Sequence, residues 1–209
     1  MVTPEAVQIP TDGVELEGLL AVPEGATGIV VFAHGSGSSR HSPRNNAVAE
    51  TLRERGLGTL LFDLLTERED QSRENRFDID LLTDRLVAAT GWLAGREPDL
   101  RVGYFGSSTG AAAALRAAAR LDEQVSAVVS RGGRVDMASD VFGSVRAPTL
   151  LVVGGEDSQV LELNREAFDR LDCERELHVV EGAGHLFEGP GQLEEVSAVA
   201  ADWFAGALG

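Results

Sequence analysis

Short apolar runs that alternate with helix-spaced segments are the strongest constraint on this chain. GIVVFAH, LGTLLFD, RVGYF, VSAVVS and APTLLVVG each hold five to eight residues with few or no charges, and ELHVVEG adds a mixed run near the end. Runs of this length without alternation predict strands buried on both faces. Between them lie segments with helical spacing: about 45 to 55, IDLLTDRLVAATGWL, GAAAALRAAARL, VLELNREAFDRL and QLEEVSAVAADWF. Repeated strand–helix units of this kind predict an α/β fold, a mostly parallel sheet of about 7–8 strands with helices on both faces. Two opening strands, AVQIP and VELEGLLAVP, flank the turn Thr11-Asp12-Gly13. No repeat or linker interrupts the pattern, so one domain over 1–209 is expected. The polar stretch TEREDQSRENR reads as a mobile surface loop, and residues 64–77 are the longest insertion available to cover a site.

Composition narrows the function classes. The chain has 34 acidic and 18 basic residues, a net charge of −16, and every basic residue is arginine. Such a surface repels nucleic acid and anionic membranes, so neither is an expected partner. No run is apolar for long enough to span a bilayer. The start MVTPEAVQIP lacks the features of a secretory leader, and Cys173 is the single cysteine; a cytoplasmic protein with a structural thiol is expected. The acidity reflects either a salty cytoplasm or a genome rich in arginine codons. Under the first, activity and melting temperature should rise as KCl goes from dilute to molar, because screening relieves carboxylate repulsion. Equal activity and stability in dilute buffer would leave codon usage as the cause.

In a parallel sheet, chemistry sits at the carboxyl ends of the strands. After RVGYF the chain passes through Gly106-Ser107-Ser108-Thr109-Gly110 straight into a helix. Ser108 alone is central in a G-x-S-x-G frame. With 24 glycines and 13 serines, chance supplies about 0.17 such frames, so the frame is weak until its strand–turn–helix setting is added. A serine nucleophile needs a base. Among His34, His41, His178 and His185, only His185 lies in a loop just past the last strand, in EGAGHLF. A base needs an orienting acid. Glu156 and Asp157 follow a Gly-Gly turn at a strand end, with Asp63 in reserve. Arg40 and Arg44 flank the HGSG loop, and Arg131 and Arg134 follow VSAVVS; Arg40, Arg131 and Arg134 are candidate ligands for a substrate carboxylate or phosphate. Pairing with the abundant acids is the competing role. No metal-binding spacing and no phosphate-loop or dinucleotide motif occurs, so neither metal nor cofactor is expected.

HGSG at 34–37, GSSTG at 106–110, VVGGED at 152–157 and GAGH at 182–185, in the order Ser, Asp, His, resemble the α/β-hydrolase superfamily, most of all its dienelactone-hydrolase-like branch. The resemblance runs over nearly the whole chain. It implies an α/β-hydrolase fold with little or no cap and a triad of Ser108, Asp157 and His185. It also implies an oxyanion hole from the amides of Ser36 and Thr109, with His34 shaping that loop. Dienelactone hydrolase itself uses cysteine where this chain has serine. The function so implied is hydrolysis of small acyl esters or thioesters by a monomer or homodimer. A non-catalytic binding or regulatory module and a serine peptidase of the same fold are the alternatives.

Overall fold

The computed structural model describes residues 2–209. Its eight strands are β1 (Glu5–Thr11), β2 (Val14–Ala21), β3 (Gly28–Ala33), β4 (Gly58–Phe62), β5 (Arg101–Ser107), β6 (Val125–Arg131), β7 (Thr149–Gly154) and β8 (Arg175–Val180). They form one sheet in the order β1-β2-β4-β3-β5-β6-β7-β8. The β1–β2 hairpin and the β2–β4 pairing are antiparallel, and the remaining pairs are parallel. The sequence expectation of an α/β-hydrolase sheet is met. Every residue of β3, β4 and β7 is buried, which is why these runs lack the polar alternation of a one-sided sheet.

Six helices cover the sheet: α1 (Pro43–Glu54), α2 (Arg73–Phe77), α3 (Ile79–Arg96), α4 (Thr109–Leu121), α5 (Ser158–Arg170) and α6 (Gln192–Leu208). One face is closed by α3, α4 and α5, through Leu82, Leu86, Leu115 and Ala167. The other is closed by α1 and α6, through Val48, Leu52, Val196 and Phe204. The alanines of α4 at 111–114, 117 and 118 are fully buried, so this helix lies close against the sheet. Helix α1 begins two residues before the expected Asn45. Ser42 caps it by accepting the Asn45 amide, and Pro43 occupies the first turn, where its missing N–H costs nothing.

The stretch 66–76 is not a simple loop. Thr66 and Glu69 bond reciprocally: Glu69 accepts the Thr66 amide at 2.8 Å, and Thr66 Oγ1 accepts the Glu69 amide at 3.3 Å. This capping pair leads into a 3-10 turn at Glu69–Gln71 and then α2. Glu69 also pairs with the buried Arg85 of α3 at 2.6 Å, and Arg76 pairs with Asp70. No helix among the described residues is long and apolar enough to cross a membrane.

The topology locates the site. From β3 the chain moves outward to β4, then returns past β3 to β5 and continues the other way. That reversal opens a crevice at the carboxyl ends of β3 and β5. Ala33 pairs with Gly106, and Ser107 with Arg131, so the loops leaving β3, β5 and β6 emerge level with one another.

Candidate active site

Ser108 sits between β5 and α4 with φ +51° and ψ −119°, a conformation that L residues rarely adopt and that must be held by its surroundings. Its amide donates to the Arg131 carbonyl at 3.2 Å, and its carbonyl accepts the Arg134 amide at 3.0 Å. The flanking glycines make the turn possible by close approach. A Cβ on Gly106 would lie 2.5 Å from Ala111 Cα, and one on Gly110 would lie 2.1 Å from the Ala33 carbonyl oxygen.

The adjacent serine is differently placed. Ser107 is 2% exposed; its hydroxyl donates to Asn45 Oδ1 at 3.1 Å and accepts from Arg131 Nε at 3.3 Å. Both serines border a cleft of about 230 Å³ shared with Gly35, Ser36, Arg44, Arg131 and His185, but the Ser107 hydroxyl is engaged by Asn45 and Arg131 whereas Ser108 Oγ has no such partners. No residue of 64–77 lines that cleft.

His185 Nδ1 donates to Asp157 Oδ2 at 2.6 Å. This bond fixes the tautomer with Nε2 as acceptor. The two loops meet because Gly154 has no side chain: a Cβ there would stand 2.3 Å from the Ala183 carbonyl oxygen. The Glu156 amide also donates to that carbonyl, at 2.9 Å. The Glu156 side chain is exposed and makes no bond to the imidazole. Asp63, the reserve acid, is taken by Arg40, whose amide it accepts at 2.7 Å. Ser108 Oγ makes no direct hydrogen bond to His185 in this structure; such bonds commonly tighten only with substrate bound.

The remaining histidines have other partners. His178 Nε2 bonds Glu195 at 2.7 Å, and His41 is exposed. His34 accepts the Leu64 amide at Nε2, 3.0 Å, and donates from Nδ1 to the Gly35 carbonyl, 2.9 Å. Burial pushes its pKa below the usual histidine value, so it is a neutral brace for the 34–37 loop.

The two candidate oxyanion amides are close together. The Ser36 amide donates to Thr109 Oγ1 at 3.0 Å. The Thr109 amide begins α4, where first-turn N–H groups have no acceptor within the helix. The tie between Thr109 and Ser36 is not legible in the sequence, since a threonine after a candidate nucleophile gives no sign of where its hydroxyl points.

The arginines divide. Arg40 is held by Asp63 and Glu17, and Arg134 by Asp136 at 2.8 Å. Both are engaged in ion pairs and neither lines the cleft of Ser108. Arg131 and Arg44 do line it. Arg131 is 9% exposed, lies 5.9 Å from the Phe187 ring centroid and has no carboxylate at ion-pairing distance among the described residues. No cluster of His, Cys, Asp and Glu among the described residues is arranged to hold a metal ion.

The dienelactone hydrolase family model matches residues 16–206. A dienelactone hydrolase crystal structure from Anabaena variabilis is 51% identical, with a TM-score of 0.97 over 100% of this chain and 99% of that one. An esterase from Pyrococcus furiosus is 20% identical, with a TM-score of 0.85 over 100% and 92% of the two chains; at that identity it speaks for the fold. Two Mycobacterium tuberculosis proteins provisionally named phosphoribosyl transferases, from strains CDC 1551 and H37Rv, are 59% identical over 96% of this chain. The chain spans 46% of the length of each.

Proposed function

The chain belongs to the dienelactone hydrolase family, and on that premise we propose that it is a serine hydrolase of small acyl esters or thioesters. The observation that carries the reading is the 2.6 Å bond from His185 to Asp157 beside a strained Ser108 that opens into the same cleft. Ser108 Oγ attacks the acyl carbonyl while its proton passes to His185 Nε2. Asp157 holds the imidazole and stabilises its cation. The carbonyl oxygen becomes an oxyanion received by the Thr109 amide and by the Ser36 amide, which exchanges the Thr109 hydroxyl for it. Donors of this kind are worth about 3 kcal/mol each where they have been removed. The alcohol or thiol leaves with the proton from His185. Water then attacks the acyl-serine, giving its proton back through His185 and releasing the acid.

Phosphoribosyl transfer, the activity in the mycobacterial relatives' name, describes proteins of which this chain spans less than half. The placement of Ser108, His185 and Asp157 favours acyl transfer to water over that activity.

The test is turnover of p-nitrophenyl acyl esters and acyl thioesters beside aminoacyl anilides. Esters or thioesters should be cleaved and anilides not. Cleavage of anilides alone would make the protein a peptidase, and no turnover would leave a binding module. Within the active panel, the quantity to compare between variants is kcat/KM. His185→Ala should lower it by about four orders of magnitude or more. His178→Ala, which loses only a half-exposed pair with Glu195, should stay within about twofold. Equal losses from both would overturn the base assignment.

A further inference from the structure

We propose that the cleft over Ser108 holds a phosphate group of the substrate between Arg131 and Arg44 at the N-terminus of α1. This deepens the ester-hydrolase reading and rests on it. The first argument is charge. The chain carries 34 acids against 18 arginines, yet two arginines and no carboxylate line this cleft. A neighbouring cleft beyond His34 has the opposite character, lined by Glu15, Glu17, Asp63, Glu67 and Asp70. Average composition would place about two carboxylates and one arginine among its eleven lining residues, so the local balance is the reverse of the chain's.

The second argument is the state of Arg131. A buried charge costs several kcal/mol unless it is paired. Arg85, comparably buried, has Glu69 at 2.6 Å. Arg131 has only the Ser107 hydroxyl on Nε and the face of Phe187. Neither of its terminal nitrogens has a hydrogen-bond partner among the described residues. Burial, then repulsion from Arg44, pushes its pKa down to about 10, which leaves it charged at neutral pH with its terminal nitrogens open to the cleft rather than sealed in the core. Arg44 is already paired with Glu188 at 2.8 Å, so Arg131 is the cation that an anion entering the cleft would neutralise.

The third argument separates phosphate from carboxylate. Donors reach the cleft from different elements. Arg131 comes from the end of β6. Ser42 and Arg44 come from the cap and first turn of α1, a twelve-residue helix with no acidic residue in that turn, where the helix dipole favours an anion. Arg44 is fixed by the Leu186 carbonyl on Nε and by Glu188 on Nη2, both at 2.8 Å, leaving Nη1 free. A planar carboxylate is satisfied by one guanidinium fork. A phosphate has three acceptor oxygens and a charge of about −1.5 to −2 at neutral pH, which suits donors converging from several directions.

The experiment is calorimetric titration of inorganic phosphate into the Ser108→Ala protein at fixed ionic strength, so that binding is read without turnover. One site is expected, with acetate and malonate at least tenfold weaker. Arg131→Gln and Arg44→Gln should each weaken phosphate at least tenfold; Arg44→Gln, at a half-exposed position, guards against a misfolded Arg131 variant. In the wild type, 1-acetylglycerol 3-phosphate should exceed 1-acetylglycerol in kcat/KM by at least tenfold. No phosphate binding, binding indifferent to both arginine substitutions, or malonate binding tighter than phosphate would overturn the proposal. Phosphate binding without hydrolysis of any ester would support the phosphate site and refute the ester reading.

Discussion

Treatment of the protein with a fluorophosphonate should leave one adduct, on Ser108. The reagent reacts with a serine only where a base activates the hydroxyl and donors receive the phosphoryl oxygen. Composition does not choose between Ser107 and Ser108, but geometry does. Ser107 Oγ is buried and engaged by Asn45 and Arg131, neither of which is a base that would activate it. Ser108 faces the cleft with His185, and its positive φ is sustained by bonds to the β6 loop on both its amide and its carbonyl. Ser108→Ala should abolish the adduct and lower ester turnover by about four to six orders of magnitude, while the protein still folds, since no hydrogen bond of the Ser108 hydroxyl holds the turn. Ser107→Ala should keep the adduct and lose about 1 kcal/mol of stability for its buried hydrogen bonds. Mass spectrometry of the labelled peptide decides. An adduct on Ser107, or none on folded protein, would refute the assignment.

Much of this arrangement is legible in the sequence because it depends on local rules. Apolar runs such as GIVVFAH mark buried strands, and the strand-end rule singles out the loops holding Ser108, Asp157 and His185. What is not legible depends on pairs brought together from a distance. Arg40 looks as available to a substrate as Arg131 does. Only the fold brings Asp63 and Glu17 to Arg40 and leaves Arg131 without an acid. The same holds for Ser36 and Thr109, 73 residues apart and joined by one hydrogen bond. The turn at Thr66–Glu69 is a different case. Its T-x-x-E spacing is a local capping signal, hidden by the run of charges around it, and its anchor Arg85 lies 16 residues away from Glu69.

The same substitution, glycine to alanine, should have opposite effects at two positions. In α3, Gly91 is exposed, and a Cβ there would meet nothing within 4 Å. Alanine removes the entropic cost of glycine in a helix, about 0.5–1 kcal/mol, so Gly91→Ala should raise the melting temperature by about 2 °C. At Gly110 the new carbon would stand 2.1 Å from the Ala33 carbonyl oxygen and 2.6 Å from that of His34. Neither is a flexible side-chain end that can swing aside; one is the last residue of β3 and the other the residue that follows it. Relief requires α4 and β3 to separate, at a cost of about 2 kcal/mol or more, or about 5 °C and upward in melting temperature. The displaced backbone leads directly into Gly35 and Ser36, and α4 carries Thr109 in the same turn as Gly110. Separation therefore pulls the two oxyanion amides apart. Gly110→Ala should cut kcat by about a hundredfold or more even in the folded fraction. Thermal melts and ester kinetics on the two variants measure both effects. A Gly110→Ala protein as stable and active as Gly91→Ala would show that the close contact of α4 with β3 is not what holds the site together.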